Sequence, residues 1–449
     1  MKRILLAAFF LSTGATHLFA QGYRGHDFWI AFPQNAVLED NRKLELSLFI
    51  TAETRTTGTI QNMMDSSIKP FSVEGGASVQ VDIDTEIELC SSSLIEPKSL
   101  HITSDHDITL YVVSHRPAST DSYCAIPTDL LGTRYIATGY TALRNGPESF
   151  TSEATVVATQ DNTLLTVHLT APTLGGLSES LPKGRTAIFP LNRGEAVQLA
   201  SSTREGGSDF TGTTFSATKP VAFFTGHRCA QVPPAITFCD MLLEEEPPES
   251  DWGRAFILTK FQSKDYYVAR VVAGSKATNV FLDGKPVDTL EPGGYYEVDT
   301  LHSDAVITTS EPALVAQYAT SASADEVKVG DPFMLIAVPN DRFIKEVTTT
   351  SVVNGFFDHY LNVVIPKDAL SSLSIDDIIA GTGKDALWTN PLRESLAPGG
   401  NYLVLTFHVP EGRHLLRCAK PMAVYAYGFG SRGDNYDSYG HACGMRLGK

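Results

Sequence analysis

The sequence predicts an all-β chain, a tandem array of about four β-sandwich-like repeats, and three observations carry that expectation. Extended apolar runs recur with turn signals between them, the pattern of many short strands. Helical periodicity is almost absent, with Asp368–Ile379 (DALSSLSIDDII) the one stretch open to reading as a short helix or a loop. A short pattern returns four times: LHITSDHDITLYVVSH from Leu100, FSATKPVAFFTGH from Phe215, VITTSEPALVAQYA from Val306 and LLRCAKPMAVYAYG from Leu415. Each copy is an apolar run, a small polar or Pro-containing break, and a second apolar run. It reads as a β-hairpin with its turn at Asp107, Pro220, Pro312 or Pro421. These positions lie 113, 92 and 109 residues apart. That period is too long for a propeller blade or leucine-rich repeat and suits a compact sandwich of about 100 residues.

Taken in order, each unit repeats a plan. An aromatic run opens the first (Asp27–Phe32, stopped by Pro33), and Leu44–Ala52 (LELSLFITA) alternates with period two, the mark of a half-buried strand. Thr56–Gln61, Phe71–Val73 and Ala77–Ile83 follow, with Gly75-Gly76 as a turn. The second unit opens at Tyr135–Ala137, pairs two strands across Gln160-Asp161-Asn162, and continues through Thr186–Pro190 and Ala196–Ala200. The third opens at Phe256–Leu258, pairs Tyr266–Ala273 with Thr278–Leu282, and carries Asp283-Gly284, a hairpin turn signal. The fourth opens at Phe343-Ile344 and runs through Tyr360–Ile365 and Tyr402–Val409. The expected boundaries are 1–20 (signal peptide), 21–116, 117–227, 228–319, and 320–449 with a C-terminal tail. Connectors from Cys124, Cys239 and Asp331 are apolar enough to pack between units, which leaves two arrangements: an open array or a closed, propeller-like ring.

The first residues read as a secretory signal: Lys2 and Arg3, an apolar stretch Ile4–Leu11, and Ala20 at a plausible cleavage point. That stretch is shorter than the ~18–20 residues needed to span a bilayer, so the chain is expected to be exported: secreted, periplasmic or at the cell surface. With a net charge of −16, non-specific nucleic-acid binding and attraction to anionic membranes are disfavoured. In an exported chain the even cysteine count favours disulfides among Cys90, Cys124, Cys229, Cys239, Cys418 and Cys443. The pairing stays open; the most local scheme is Cys90–Cys124, Cys229–Cys239 and Cys418–Cys443.

No catalytic motif, P-loop or zinc-binding spacing stands in a fitting context, so no catalytic residue, cofactor or metal is expected. His26-Asp27 lacks any marked nucleophile. The acidic clusters Asp161-Asn162 and Asp434–Asp437 read as turns, with a Ca²⁺ site at 434–437 as the lesser alternative. Arg432-Gly433-Asp434 is a weak adhesion tripeptide. The Tyr-rich stretch Tyr425–Tyr439 reads as a sheet-edge cover or a stacking surface for sugars, and Leu243–Glu249 (LEEEPPE) as a solvated connector.

Several segments, in order, resemble the IgG Fc-binding protein N-terminal domain family: HDFWIAFPQN, LHITSDHDITLYV, AIPTDLLGTRYI, ATQDNTLLTV, DFTGTTFSATKPVAFFTGH, PPESDWGRAFI, AVITTSEPALVAQYA and GDPFMLIAVPNDRF. The resemblance covers nearly all of the expected mature chain. It does not extend to the cysteine-rich von Willebrand-type repeats of the animal mucus proteins that give the family its name, and the layout looks like that of bacterial exported members. It implies binding, with immunoglobulin as the suggested partner, and brings no catalytic motif. The chain is therefore expected to be an exported, non-enzymatic binding or adhesion-type protein recognising a protein or glycoprotein. The alternatives are a carbohydrate-active hydrolase on a sandwich scaffold and a structural cell-envelope component.

Overall fold

The structure is a computed structural model describing residues 22–36, 43–145, 148–175, 179–204, 207–234, 236–351, 357–384, 386–430 and 436–448. Among these residues it is all-β, with short 3₁₀ turns and no α-helix. No helix among them is long and apolar enough to cross a membrane. The expected signal peptide, the tripeptide Arg432-Gly433-Asp434 and, of the 434–437 cluster, Asp434 and Asn435 lie outside the described residues.

The repeated pattern is not a hairpin. In three units it is one long bent strand, here the spine: Leu100–Arg116, Ala305–Ala319 and Arg413–Gly430. The first half of Leu100–Arg116 pairs with Arg24–Ile30 and Thr56–Asn62, and the second half with Glu45–Ala52 and Ser119–Cys124. Asp107, Pro312 and Pro421 thus mark where a strand bends from one set of neighbours to another, the corner device of orthogonally packed sheets. Proline suits that corner because it withholds an N–H where the ladder changes partner. In the second unit the spine breaks into Thr214–Ala217 and Val221–Ala230, which belong to a four-stranded and a five-stranded sheet. The strands on either side of Gln160–Asn162 likewise lie in those two different sheets rather than pairing, and Tyr267–Ala273 and Thr278–Leu282 each pair with the spine rather than with each other. The Asp283-Gly284 turn does join a hairpin, with both residues at positive φ (50° and 77°) as a tight two-residue turn requires. Asp368–Ile379 resolves into a 3₁₀ turn and a two-stranded ribbon.

Parts of the stretches expected to lead into the next unit are instead last strands of the preceding one, and the expected C-terminal tail supplies the fourth such strand. Ser119–Cys124, Asp240–Glu245, Met334–Ile336 and Ser438–Ala442 each pair antiparallel with their own spine. Each unit's sheets thus extend past its spine to the following strand, and Ile95–Glu96 crosses over to pair with Ala196-Val197 of the second unit. All four of these strands are wholly buried. They pack round one axis, each against the next, with Ser438–Ala442 returning to Ser119–Cys124. The array is therefore a closed, propeller-like ring. One apolar core runs through the axis and draws on all four units, while the second and fourth units keep further cores of their own.

Closure between the fourth and first units is explicit. Tyr111 donates its hydroxyl to the Thr348 carbonyl (2.6 Å), Ser122 Oγ meets His441 Nδ1 (2.7 Å), Thr348 Oγ1 donates to Glu53 (2.7 Å), and Arg24 pairs with Glu346 (3.2 Å).

Candidate functional site

The axis is where sequence reasoning failed most. Asp121 stands on the first axial strand and is fully buried. Its Oδ1 accepts the amide N–H of Ser122 (2.9 Å) and Gly440 (3.1 Å), and its Oδ2 those of Leu243 (2.9 Å) and Met334 (3.4 Å). One carboxylate thus gathers an N–H from each of the four axial strands. An ionised carboxylate offers about four acceptor sites, and all are taken. Burial outweighs these amides and holds the carboxyl well above its usual range. Asp240 likewise accepts from the Thr120 and Met241 amides (2.6 and 2.7 Å).

The Glu-rich run expected to be a solvated connector is buried: Glu244, Glu245 and Glu246 are at most 4% exposed. Glu245 accepts the Ile126 amide (2.9 Å), and Glu246 accepts the Thr138 amide (2.8 Å) and the Thr225 hydroxyl. The run belongs inside because the ring leaves inward-facing amides with no strand partner, and an orphaned buried N–H is costly. Tyr425, Tyr427 and Tyr439 are also buried and present no stacking surface; Tyr425 accepts the Val338 amide and Tyr427 the Gln262 amide, both at 2.9 Å.

These buried groups set a pH dependence. Burial pushes Glu153 and Asp331 up to about 7 and Glu246 up to about 8. Unfolded, such carboxyls titrate near about 4. The folded chain therefore holds protons that the unfolded chain has released, and stability is lost as pH rises through that interval. Burial pushes His227 and His441 down to about 3 and His359 to about 4. Their contribution is present above about 6.5, the unfolded value, and is lost as pH falls through the folded values. The two sets oppose each other in mild acid. Above about 6.5 the histidines no longer act, and each carboxyl contributes at most about 1.4 kcal/mol per pH unit, shrinking as pH passes its folded value. Melting temperature is expected to fall as pH rises from 6.5 and to level off above about 8, where these carboxyls are released in the folded chain too; a rise from pH 6.5 to 8 would contradict the assignment.

Of the six cysteines, only Cys229 and Cys239 are joined (Cα–Cα 5.1 Å), stapling the turn between the second spine and its axial strand. The Cys90–Cys124 and Cys418–Cys443 bridges of the local scheme are not formed. Cys90 is exposed whereas Cys124 is buried on an axial strand. Cys418 sits at the spine bend against the Ala369 carbonyl (3.8 Å), and Cys443 donates to Thr349 Oγ1 (3.3 Å).

Open clefts lie where consecutive units meet. The first, of about 730 Å³, is formed by the opening strand of unit one, the 3₁₀ turn Thr128–Leu130, and the Thr159–Asp161 turn and Arg193 of unit two. Trp29 forms its buried floor. His101 stacks on Trp29 at 4.2 Å and 12°, and the Arg193 guanidinium lies 5.3 Å above the same indole. Arg193 Nη2 can only donate, so His101 Nδ1 accepts (3.2 Å) and the proton sits on Nε2, which donates to Asp27 Oδ2 (2.9 Å). Burial works to raise the Asp27 carboxyl, but hydrogen bonds from His101 and Thr128 outweigh it and hold it below its usual range. Both imidazole nitrogens are committed, so His101 has none left to activate a nucleophile. His26, expected beside Asp27, pairs with Asp107 instead (3.7 Å). Above this layer Arg193, Asp129, Asp161 and His26 are exposed. The counterpart between units two and three, about 410 Å³, is lined by Arg134, Glu249, Lys276 and Glu311, with Arg134–Glu249 at 3.1 Å and Lys276–Glu311 at 3.4 Å. No group of three or more His, Cys, Asp or Glu side chains among the described residues is arranged to hold a metal ion. The clefts are suited to non-covalent recognition by charged rims over a rigid base. The sequence offered Trp29 and His101 only as strand residues, because the layer depends on Arg193 arriving from the next unit.

The fold and clefts define a closed all-β ring with charged junction surfaces. The IgGFc binding protein family profile matches residues 121–428, and the chain belongs to that family. A human protein named IgGFc-binding protein is 26% identical over 363 residues, which is 79% of this chain and 6% of that protein. The chain thus spans only a small fraction of the length of this curated relative. The family is a binding-domain family rather than a known enzyme family.

Proposed function

We propose that the chain is an exported, non-enzymatic binding protein that recognises a protein or glycoprotein, with the Fc part of immunoglobulin G as the first partner to test. Family membership over residues 121–428 carries this reading. The junction clefts support it, because a rigid, preorganised rim lowers the ordering cost of binding. The first cleft offers the fuller surface, with Arg193 as its exposed cation over Trp29. Arginine beside an aromatic floor is the residue type that most often dominates protein recognition.

The test is surface-immobilised chain against purified Fc and against mucin-type glycoproteins. Saturable binding to one of them is expected, weakened about tenfold or more by Arg193→Ala. No saturable binding to either class would overturn the partner assignment. Binding that Arg193→Ala leaves unchanged would move the site away from this cleft.

A further inference from the structure

We infer that Cys124 and Cys443 are the two halves of a ring-closing disulfide joining the first unit to the fourth. The inference starts from the register of two axial strands. Asp121 Oδ1 meets the Gly440 amide at 3.1 Å and Ser122 Oγ meets His441 Nδ1 at 2.7 Å, both across a separation of 319 residues. A constant separation means that Ser119–Cys124 and Ser438–Ala442 run side by side in the same direction. Cys124 and Cys443 stand at that same separation, two residues beyond Ser122 and His441. Extended residues two apart share a face, so the two cysteines stand on the faces already in contact through Ser122 and His441.

Tyr111 fixes the pair from the side. It lies directly opposite Cys124 across the first spine, and its ring packs on that of His441 at 4.8 Å. Both thiols are within hydrogen-bonding reach of its hydroxyl. Cys443 is further held by Thr349 Oγ1 (3.3 Å), next to the Thr348 carbonyl that accepts from Tyr111. Two thiols from opposite ends of the chain therefore converge on one tyrosine at the seam where the ring shuts.

The chemistry is thiol–disulfide exchange with a small-molecule or protein disulfide as oxidant. The Cys443 thiolate attacks the oxidant's S–S bond and releases one thiol. The Cys124 thiolate then attacks the Cys443 sulfur of the mixed disulfide and releases the second thiol. The chain loses two protons and two electrons, and the oxidant is reduced to two thiols. Burial pushes the Cys443 thiol up to about 12 and raises Cys124 as well. Thiolate attack at the seam is therefore slow, and the same burial shields the formed bond from reductants. The bridge makes the closed ring covalent, whereas Cys229–Cys239 secures only a local turn.

The test uses the full chain refolded with oxidised glutathione, blocked with iodoacetamide in denaturant, and digested without reductant. Peptide mapping by mass spectrometry is expected to find the Cys124 and Cys443 peptides joined, with Cys229–Cys239 as the internal control. Cys124 and Cys443 both alkylated while the control is bridged, or either found paired with Cys90 or Cys418, would overturn the inference. A second measurement compares melting temperatures with and without dithiothreitol. The fall on reduction is expected to be several degrees larger for the parent chain than for Cys443→Ala; equal falls would also overturn it.

Discussion

Replacing Arg270 with methionine is expected to destabilise the ring by about 3–5 kcal/mol, the range for removing one partner of a buried ion pair. Arg270 is on the third unit's strand Tyr267–Ala273, yet most of what it holds belongs to the second. Its Nη1 donates to the Gly139 carbonyl (2.7 Å), to Thr211 Oγ1 (3.0 Å) and to Asp209, and its Nε donates to Glu297. Tyr140 and Tyr295 flank the guanidinium at 4.4 and 4.8 Å. The side chain is 2% exposed and that of Asp209 7%, so removing the cation strands a carboxylate away from water. Methionine keeps much of the volume, which separates loss of charge from loss of packing. The midpoint of urea unfolding should shift accordingly, and Asp209→Asn in the same chain should recover part of the loss. Arg270→Lys should fall between, because an ammonium cannot reproduce the planar fork or the stacking. A methionine variant within about 1 kcal/mol of the parent would show that this junction is not held by the pair.

The reach of sequence reasoning can be traced through particular residues. Glu45–Ala52 was legible as a strand from its alternation, but not as a half-buried one, because every residue after Glu45 is buried once both faces of the sheet are covered. Asp283-Gly284 was legible because a two-residue hairpin turn needs positive φ at both positions. The spines were half legible. Their apolar runs are strands, but Pro312 or Pro421 gives the same signal whether the chain reverses or only bends onto another set of partners. Glu244–Glu246 misled because composition assigns a Glu-rich, Pro-terminated run to solvent. What draws it inside is a set of unpaired amides from distant parts of the chain, as with the bond from Ile126, 119 residues away; Asp121 likewise reaches Leu243 and Gly440, 122 and 319 residues away. The Trp29–His101–Arg193 layer was invisible for the same reason, since its three members are adjacent only after two units dock. The connectors were the useful hint. Their apolarity announced contact between units, and the ring is the arrangement in which every connector finds one.

That arrangement makes Asp121→Ala the substitution with the largest expected effect. The change removes few atoms but leaves the amides of Ser122, Leu243, Met334 and Gly440 without the carboxylate they share. A buried donor left unsatisfied costs about 1–3 kcal/mol. Together the losses approach the ~5–15 kcal/mol that separates a typical folded domain from its unfolded state. Asp121→Asn tests the chemistry more sharply. It preserves shape and hydrogen-bonding capacity, but its amide nitrogen must point donors at the amides on one side. It should therefore recover only the pair of bonds made to the remaining oxygen, and with them only part of the alanine loss. The readouts are the urea midpoint and the hydrodynamic radius, since a ring without its hub should open before its outer sheets melt. The outer sheets keep their own ladders and the second and fourth units their own cores, so far-ultraviolet circular dichroism should retain much of its β signal while the radius grows. If Asp121→Ala unfolds in one step within about 1 kcal/mol of the parent, the axial carboxylate is a bystander and the ring is held by apolar packing alone.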